Sequence, residues 1–239
     1  MKVLFRRTKI FTDRYPLIGP AVWILSLEYF IAQAVVAAAW RNPGYSWTRN
    51  TISDLGNSVC GVFDGRSVCS PFHIAMNVSI FALGVLMASG SFLIYQEFCE
   101  NRGTFAGFGL MALGGIGGMI VGLVPENTNG YWHLGGALLP FLLGNVGLVI
   151  LSFALYKIRF GMRFYTFMSG IVSLTALIFF AAHSYGPLGK GGVERIVAYP
   201  QTIWLITFGF YMTHDHVRYL RTVLRKLKKR AERIQKRII

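Results

Sequence analysis

Along the chain the apolar residues fall into six blocks, at 16–40, 71–98, 103–124, 131–156, 164–184 and 193–217, separated by polar stretches. Each block has about 20 residues or more, the length of helix that crosses the hydrocarbon core of a bilayer. No block alternates every second residue as a barrel strand does, and in lipid only helices or closed barrels satisfy their own backbone groups. The pattern predicts an all-α, polytopic integral membrane protein with six transmembrane helices. The first block is too long for a cleaved signal peptide and is followed by no small-residue cleavage site.

After residue 217 the pattern changes. In RYLRTVLRKLKKRAERIQKRII, Leu220, Val223, Leu224, Leu227, Ala231, Ile234 and Ile238 recur every three or four residues, and Lys and Arg crowd the other face. This predicts a basic amphipathic helix on the anionic inner leaflet; a helix that binds a protein partner or itself is the alternative. The expected organisation is a six-helix transmembrane domain over 1–217 and a cytoplasmic basic helix over 218–239.

Composition strengthens the membrane assignment. Of 239 residues, 54% are hydrophobic and 14% charged, against about a quarter charged in soluble domains. Mean hydropathy is +0.48. Lys and Arg number 24 against ten Asp and Glu. Only five of the 24, Arg41, Arg49, Arg66, Lys190 and Arg195, fall on the side that faces away from the N-terminal segment. The positive-inside tendency then puts both termini in the cytoplasm of a multi-pass cell-membrane protein. The net charge of +14 is mostly a cytoplasmic-surface property and calls for no nucleic acid.

The outer connections hold the unusual chemistry. The first, RNPGYSWTRNTISDLGNSVCGVFDGRSVCSPFH, carries Arg49, Ser53, Asp54, Asn57 and Arg66 and ends at His73. The second, in GLVPENTNGYWHLGG, carries Glu126 and Asn127 and ends at His133; the third, HSYGPLGKGGVER, carries His183, Lys190, Glu194 and Arg195. Each outer connection thus pairs a histidine with a carboxylate. Cys60 and Cys69 share the first loop, where an oxidising compartment predicts a disulfide and two free thiols are the alternative; Cys99 lies on the inner side. No CxxC metal spacing occurs.

Within the blocks, polar residues are few: Glu28, Gln33, Asn77 and Asn145. An intramembrane carboxylate such as Glu28 faces the bundle interior or is protonated. His73 and Asn77, four apart, share a helix face that should look inward. Gly114, Gly118 and Gly122 form a tandem GxxxG that allows close backbone approach, read as helix packing ahead of a hinge or lipid groove.

Two elements carry a resemblance. The Ser-Asp-Leu-Gly after the first block and the Gly-x-x-Pro turn leading to His133 resemble the bacterial membrane family of domain of unknown function 998. The Ile-Ser-Asp element is also similar to DRAM-type and GPI-lipid-remodelling membrane proteins. The resemblance implies a six-helix fold and a lipid-related role. It makes Ser53, Asp54, Gly56, Pro125 and His133 the family-pattern residues.

Two functional classes follow. The first is a lipid hydrolase or acyltransferase at the outer leaflet. There Asp54, Glu126 or Glu194 with His73, His133 or His183 supplies acid–base chemistry, and Arg49, Asn127 and Arg195 bind the head group. Ser53 and Ser70 are the available hydroxyl nucleophiles, without a GxSxG elbow. A variant of this class adds zinc on His73, His133 and His183, with an open position for water; the His-x-x-x-His pairing of ceramidase-like hydrolases is missing. The second class is non-enzymatic: lipid binding, sensing, transport or scaffolding. A haem protein is disfavoured, because the inner side offers only His214 and His216 on one helix.

Overall fold

The structure is a computed structural model that describes residues 2–99 and 101–238, with side chains over 8–99 and 101–227. The chain is mostly helical. Helix α1 spans Lys2–Arg14, α2 Ile18–Ile24, α3 Leu27–Ala39, α4 His73–Tyr95 and α5 Arg102–Leu123. Then come α6 (Gly130–Leu138), α7 (Asn145–Ala154), α8 (Phe160–Ala181) and a long α9 (Gly189–Ile238). Five helical stretches among the described residues are long and apolar enough to cross a membrane: Ile18–Ala39, His73–Tyr95, Arg102–Leu123, Gly130–Ala154 and Phe160–Ala181. α9 is not one of the five; Tyr199, Pro200, Gln201 and Thr202 interrupt its apolar run.

Several blocks differ in detail from single straight helices. The first is two helices joined at Leu25 and Ser26, where the bonds from Ser26 N–H to the Trp23 carbonyl and from Glu28 N–H to that of Leu25 tighten one turn. The fourth contains a π-helical segment, Leu139–Gly144, between α6 and α7. Pro140 lacks the N–H that would bond Gly136, and the wider turn absorbs its ring. In α9, Pro200 frees the Ile196 carbonyl, and Ser173 Oγ donates to it at 3.4 Å.

Glycine sets the spacing of α4 and α5. A Cβ on Gly84 would lie 2.5 Å from the Gly115 carbonyl oxygen, and one on Gly115 would lie 2.5 Å from that of Gly84. Within the tandem GxxxG, a Cβ on Gly122 would lie 2.6 Å from the Asn77 carbonyl oxygen and one on Gly118 3.2 Å from Gly84 Cα, so the motif packs α5 on α4, as expected, although Gly114 and Gly118 also border a cavity. One cluster of the core gathers Trp23, Phe108, Trp204 and Phe208; a second gathers Tyr29, Val36, Trp40, Leu55 and Met76.

One end of the bundle holds α1 and the ends of α4 and α7: Lys9 Nζ donates to the Gln96 carbonyl, and Arg159 N–H donates to the Tyr211 hydroxyl. The opposite end, the loop end, holds residues 40–72, 124–129 and 182–192. The loop between α3 and α4 contains an antiparallel hairpin, β1 (Gly61–Phe63) with β2 (Arg66–Val68), which adds two short strands to the predicted all-α plan. Asp64 and Gly65 both take positive φ, 49° and 72°, as a tight two-residue hairpin turn demands. A Cys60–Cys69 disulfide closes its base, and Cys99 is free. Beyond Leu227 the side chains of the amphipathic tail lie outside the described residues; Leu220, Leu224 and Leu227 before them are exposed.

Candidate functional site

The site is built where three connections meet at the loop end. Ser53 opens a 3-10 turn, Ser53–Gly56, that the preceding residues hold by reciprocal bonds. Asp54 N–H donates to Thr51 Oγ1 at 3.0 Å, and Thr51 N–H donates to Asp54 Oδ2 at 2.9 Å. Gly56 follows because a Cβ there would lie 2.2 Å from Asn77 Oδ1, whose amide nitrogen donates to the Gly56 carbonyl at 2.9 Å. Asn77 thus does face inward, as its spacing from His73 suggests.

Pro125 fixes the second contribution. It biases Val124 to an extended backbone, seen at φ −124° and ψ 87°, which ends α5. The Val124 carbonyl lies 2.7 Å from His133 Nδ1. A carbonyl only accepts, so Nδ1 carries the hydrogen. In the neutral ring Nε2 is then bare, and Ser53 Oγ stands 2.9 Å from it as donor. His133 is 7% exposed, on the first turn of α6, where Asn129 caps the helix.

The third contribution is Glu194 on α9, 4% exposed. Its Oε2 accepts from Ile52 N–H at 2.5 Å, and Oε1 lies 3.5 Å from Ser53 Oγ. A buried carboxylate therefore grips the residue just before Ser53.

Around this centre sits a charge cluster. Asp54 is fully buried and takes a bidentate grip from Arg66, Nε to Oδ2 at 2.8 Å and Nη2 to Oδ1 at 3.0 Å, with Asn50 Nδ2 at 3.1 Å. Arg66 also donates to Asp64, which Lys190 pairs in turn. Burial pushes the Asp54 carboxyl up, but the bonds and charge of Arg66, with the bonds from Glu126 and Thr51 N–H, together outweigh it and the net shift is down. Glu126 accepts from Asn57 Nδ2 at 3.0 Å and lies 3.9 Å from Arg66. Burial first, and the Asp54 carboxylate second, push its carboxyl well above the ordinary range.

Beneath Ser53 and Glu194 opens a largely apolar pocket. Tyr29, Ile52, Ile80, Leu83, Val121, Ala137 and Ala198 wall its upper part, and Met87, Gly114, Pro140, Phe141 and Gln201 its lower part. From Ile80 to Met87 the wall covers about 10 Å of helix at 1.5 Å per residue. A hydroxyl beside a proton acceptor at the edge of an apolar pocket is a geometry in which nucleophilic chemistry is possible.

The predicted residues part company here. Asp54, Glu126, His133 and Glu194 gather around Ser53. His73 Nδ1 instead meets the Ser70 carbonyl at 3.1 Å. His183 is exposed, and its Nδ1 meets the Tyr185 hydroxyl at 2.9 Å. The three-histidine zinc set is thereby corrected: among the described residues no group of three His, Cys, Asp or Glu can hold a metal ion. Each histidine adjoins a connection at the loop end, but His73 and His133 lie in the first turns of α4 and α6 while His183 follows α8 in a turn at φ 51°, and each ring meets a different neighbour.

The head-group residues also have other partners. Arg195 is 7% exposed; its Nη1 donates to the carbonyls of Trp47, Asn50 and Gly191 at 2.7–3.0 Å, and Nη2 donates to the Tyr45 hydroxyl. Its guanidinium stacks 4.8 Å from the Trp47 ring. Those bonds tie α9 to the loop that carries Ser53. Arg49 is exposed and reaches Ser46 Oγ at 3.5 Å. Asn127 accepts from Ser58 N–H and donates to Ser58 Oγ at 3.0 Å, lacing two loops together. Ser70, the other hydroxyl, donates to the Leu55 carbonyl at 2.7 Å.

The family model described as a protein of unknown function (DUF998) matches residues 25–211. The chain belongs to this family. The DUF998 segment contains Ser53, Asp54, Arg66, Glu126, His133, Glu194 and the whole pocket; α1, α2 and the chain beyond residue 211 fall outside it. No curated protein and no solved structure matches the chain, so the likeness to DRAM-type proteins rests on the Ile-Ser-Asp element alone.

Proposed function

We propose that this DUF998 chain is a membrane-embedded acyl hydrolase or acyltransferase for lipid or lipid-linked substrates, with Ser53 as nucleophile and His133 as base. The observation that carries the reading is the 2.9 Å contact from Ser53 Oγ to His133 Nε2 at the polar end of an apolar pocket. In the reaction the Ser53 proton passes to Nε2 as Oγ bonds the ester carbonyl carbon. His133 then returns that proton to the leaving alcohol as the ester bond breaks, leaving an acyl-Ser53. Water, or an alcohol acceptor, releases the acyl group by the same steps in reverse. The Val124 carbonyl takes the orienting place that a carboxylate fills in a triad. Glu194 and the Asp54–Arg66 pair hold the Ser53 turn in place and so act as positioning residues.

On this reading α9 is the sixth span, over 193–217, and both termini are cytoplasmic. Supporting it, α9 runs from Glu194 at the loop end to Tyr211 at the opposite end. Its polar middle is turned inward, with the Tyr199 hydroxyl donating to Gln33 Oε1 at 2.8 Å. Exposed aromatics ring both ends: Trp47, Phe72, Tyr131 and Trp132 at one, Phe11, Tyr15, Tyr156 and Tyr219 at the other. Such belts sit at the membrane–water interfaces, which would put Ser53 near the depth of lipid ester groups. The basic tail then meets anionic inner-leaflet lipid.

A fluorophosphonate probe applied to membranes containing the full chain tests the chemistry. Wild type and Ser70→Ala should be labelled. Ser53→Ala should not be, and His133→Ala should react at least about a hundredfold more slowly. Equal labelling of a folded Ser53→Ala protein overturns the assignment.

A further inference from the structure

One group in the pocket has no part in acyl transfer at Ser53. Gln201 is 4% exposed and lines the pocket at the end away from Ser53. Its one hydrogen bond among the described residues runs from Nε2 to Met111 Sδ at 3.6 Å, and a thioether is a weak acceptor. An amide has two donor hydrogens and two acceptor lone pairs, so most of its capacity is unused there. An apolar residue of the same size would avoid that desolvation cost.

The fold makes special room for this amide. A Cβ on Gly144 would lie 2.2 Å from Gln201 Nε2. Gly144 ends the π-helical segment that begins beside Pro140, and Pro140 borders the same pocket. Glu194, Ala198 and Gln201 stand at i, i+4 and i+7 on α9, one stripe of the helix, and all three line the pocket. The pocket is therefore polar at both ends, about 10 Å apart along α9, and apolar between.

We infer that the pocket takes an acyl chain bearing a second hydrogen-bonding group, a hydroxyl or carbonyl, and that Gln201 is the residue that selects it. The inference rests on the acyl-transfer reading for the end at which the chain reacts. A 10 Å separation corresponds to about eight bonds, at the ~1.2 Å per bond of an extended chain. A hydroxyl at that position pairs with the amide whichever way the amide is turned, since it both donates and accepts. A plain alkyl chain leaves the amide unpaired, and sites built to bond a hydroxyl discriminate strongly against analogues lacking it.

The test uses the full chain in detergent micelles with Ser53→Ala, which leaves the esters uncleaved, and Kd is measured by titration for methyl octanoate and methyl 8-hydroxyoctanoate. The Ser53→Ala chain should bind the hydroxylated ester about tenfold more tightly. Adding Gln201→Leu or Gln201→Met should remove that preference without removing binding of the plain ester. Two apolar variants are used so that misfolding of one does not decide the result. Equal affinities in the Ser53→Ala chain, or a preference surviving in both Gln201 variants, overturns the inference. Ser53 labelling without a hydroxyl preference removes the inference alone. A Gln201-dependent preference in a chain whose Ser53 takes no probe upholds the selection and removes the acyl-transfer reading.

Discussion

Asp54 and Glu126 are two carboxyls in one cluster that their surroundings drive apart. Asp54 is buried at no exposure yet stays charged, because Arg66 bonds both its oxygens. Glu126 accepts from the Asn57 amide, lies 3.9 Å from Arg66 and shares a hydrogen bond with the Asp54 carboxyl, so burial first and Asp54 second favour its proton, with a carboxyl pushed up to about 9 from the ordinary 4.5. A raised folded-state pKa contributes stability that is full at low pH and is lost as pH rises through it. Stability should therefore fall between about pH 4.5 and pH 9, and Glu126→Gln, which keeps the neutral form at every pH, should flatten that slope in melting curves. On the acid side the lowered Asp54 works in the other sense: its contribution fades as pH drops below the carboxylate range. Arg66→Met leaves Asp54 buried without its counter-ion. Breaking such a pair costs about 3–5 kcal/mol, which should appear as a large drop in melting temperature.

At the scale of elements, small residues decide where helices end and how closely they meet. Pro125 ends α5 and frees the carbonyl that orients His133; Pro140 widens the fourth block; Pro200 hands a carbonyl to Ser173. Gly84 and Gly115 let α4 and α5 touch along their backbones. Gly115→Ala would drive a Cβ to 2.5 Å from the Gly84 carbonyl oxygen, while Gly109→Ala meets nothing within 4 Å. The first substitution should lower the melting temperature strongly and open the pocket wall at Gly114 and Gly118. The second, on the same helix, should be neutral or slightly stabilising, since Ala outranks Gly in a helix by about 1 kcal/mol.

At the scale of the molecule, the proposed six-span topology predicts which faces reach water on each side. With the native cysteines removed, Ser58→Cys and Asn129→Cys should react with a membrane-impermeant thiol reagent in intact cells. Arg225→Cys should react only after permeabilisation. Labelling of Arg225→Cys in intact cells would reverse the orientation; labelling of all three would break the sixth span.

How much of this could be read from the chain follows from the range of the forces involved. Hydropathy and length act over 20 consecutive residues, so the five apolar stretches were legible, and the Gly-rich contact of α4 and α5 was legible as a spacing. The paired cysteines marked the hairpin base because they share one loop, although nothing in the alternation there announced strands of three residues. Asp54, Glu126, His133 and Glu194 were legible as reactive types beside the connections of the loop end. Their roles were not: a carboxylate looks the same in sequence whether it bonds Arg66, like Asp54, or a backbone N–H, like Glu194. His73, His133 and His183 looked equivalent because each borders a loop, whereas ring direction depends on the local backbone, a helix turn for His73 and His133 and a positive-φ turn for His183, and on the Val124 carbonyl that Pro125 turns. Ser53 and His133 lie 80 residues apart, and Ser53 and Glu194 141. Only the packing of α6 and α9 around the Ser-Asp-Leu-Gly turn brings them within bonding distance. Local sequence thus determined that these segments are helices and that polar groups cap one end. Tertiary structure alone decided which hydroxyl faces which imidazole, because that geometry is a sum over contacts from the whole chain.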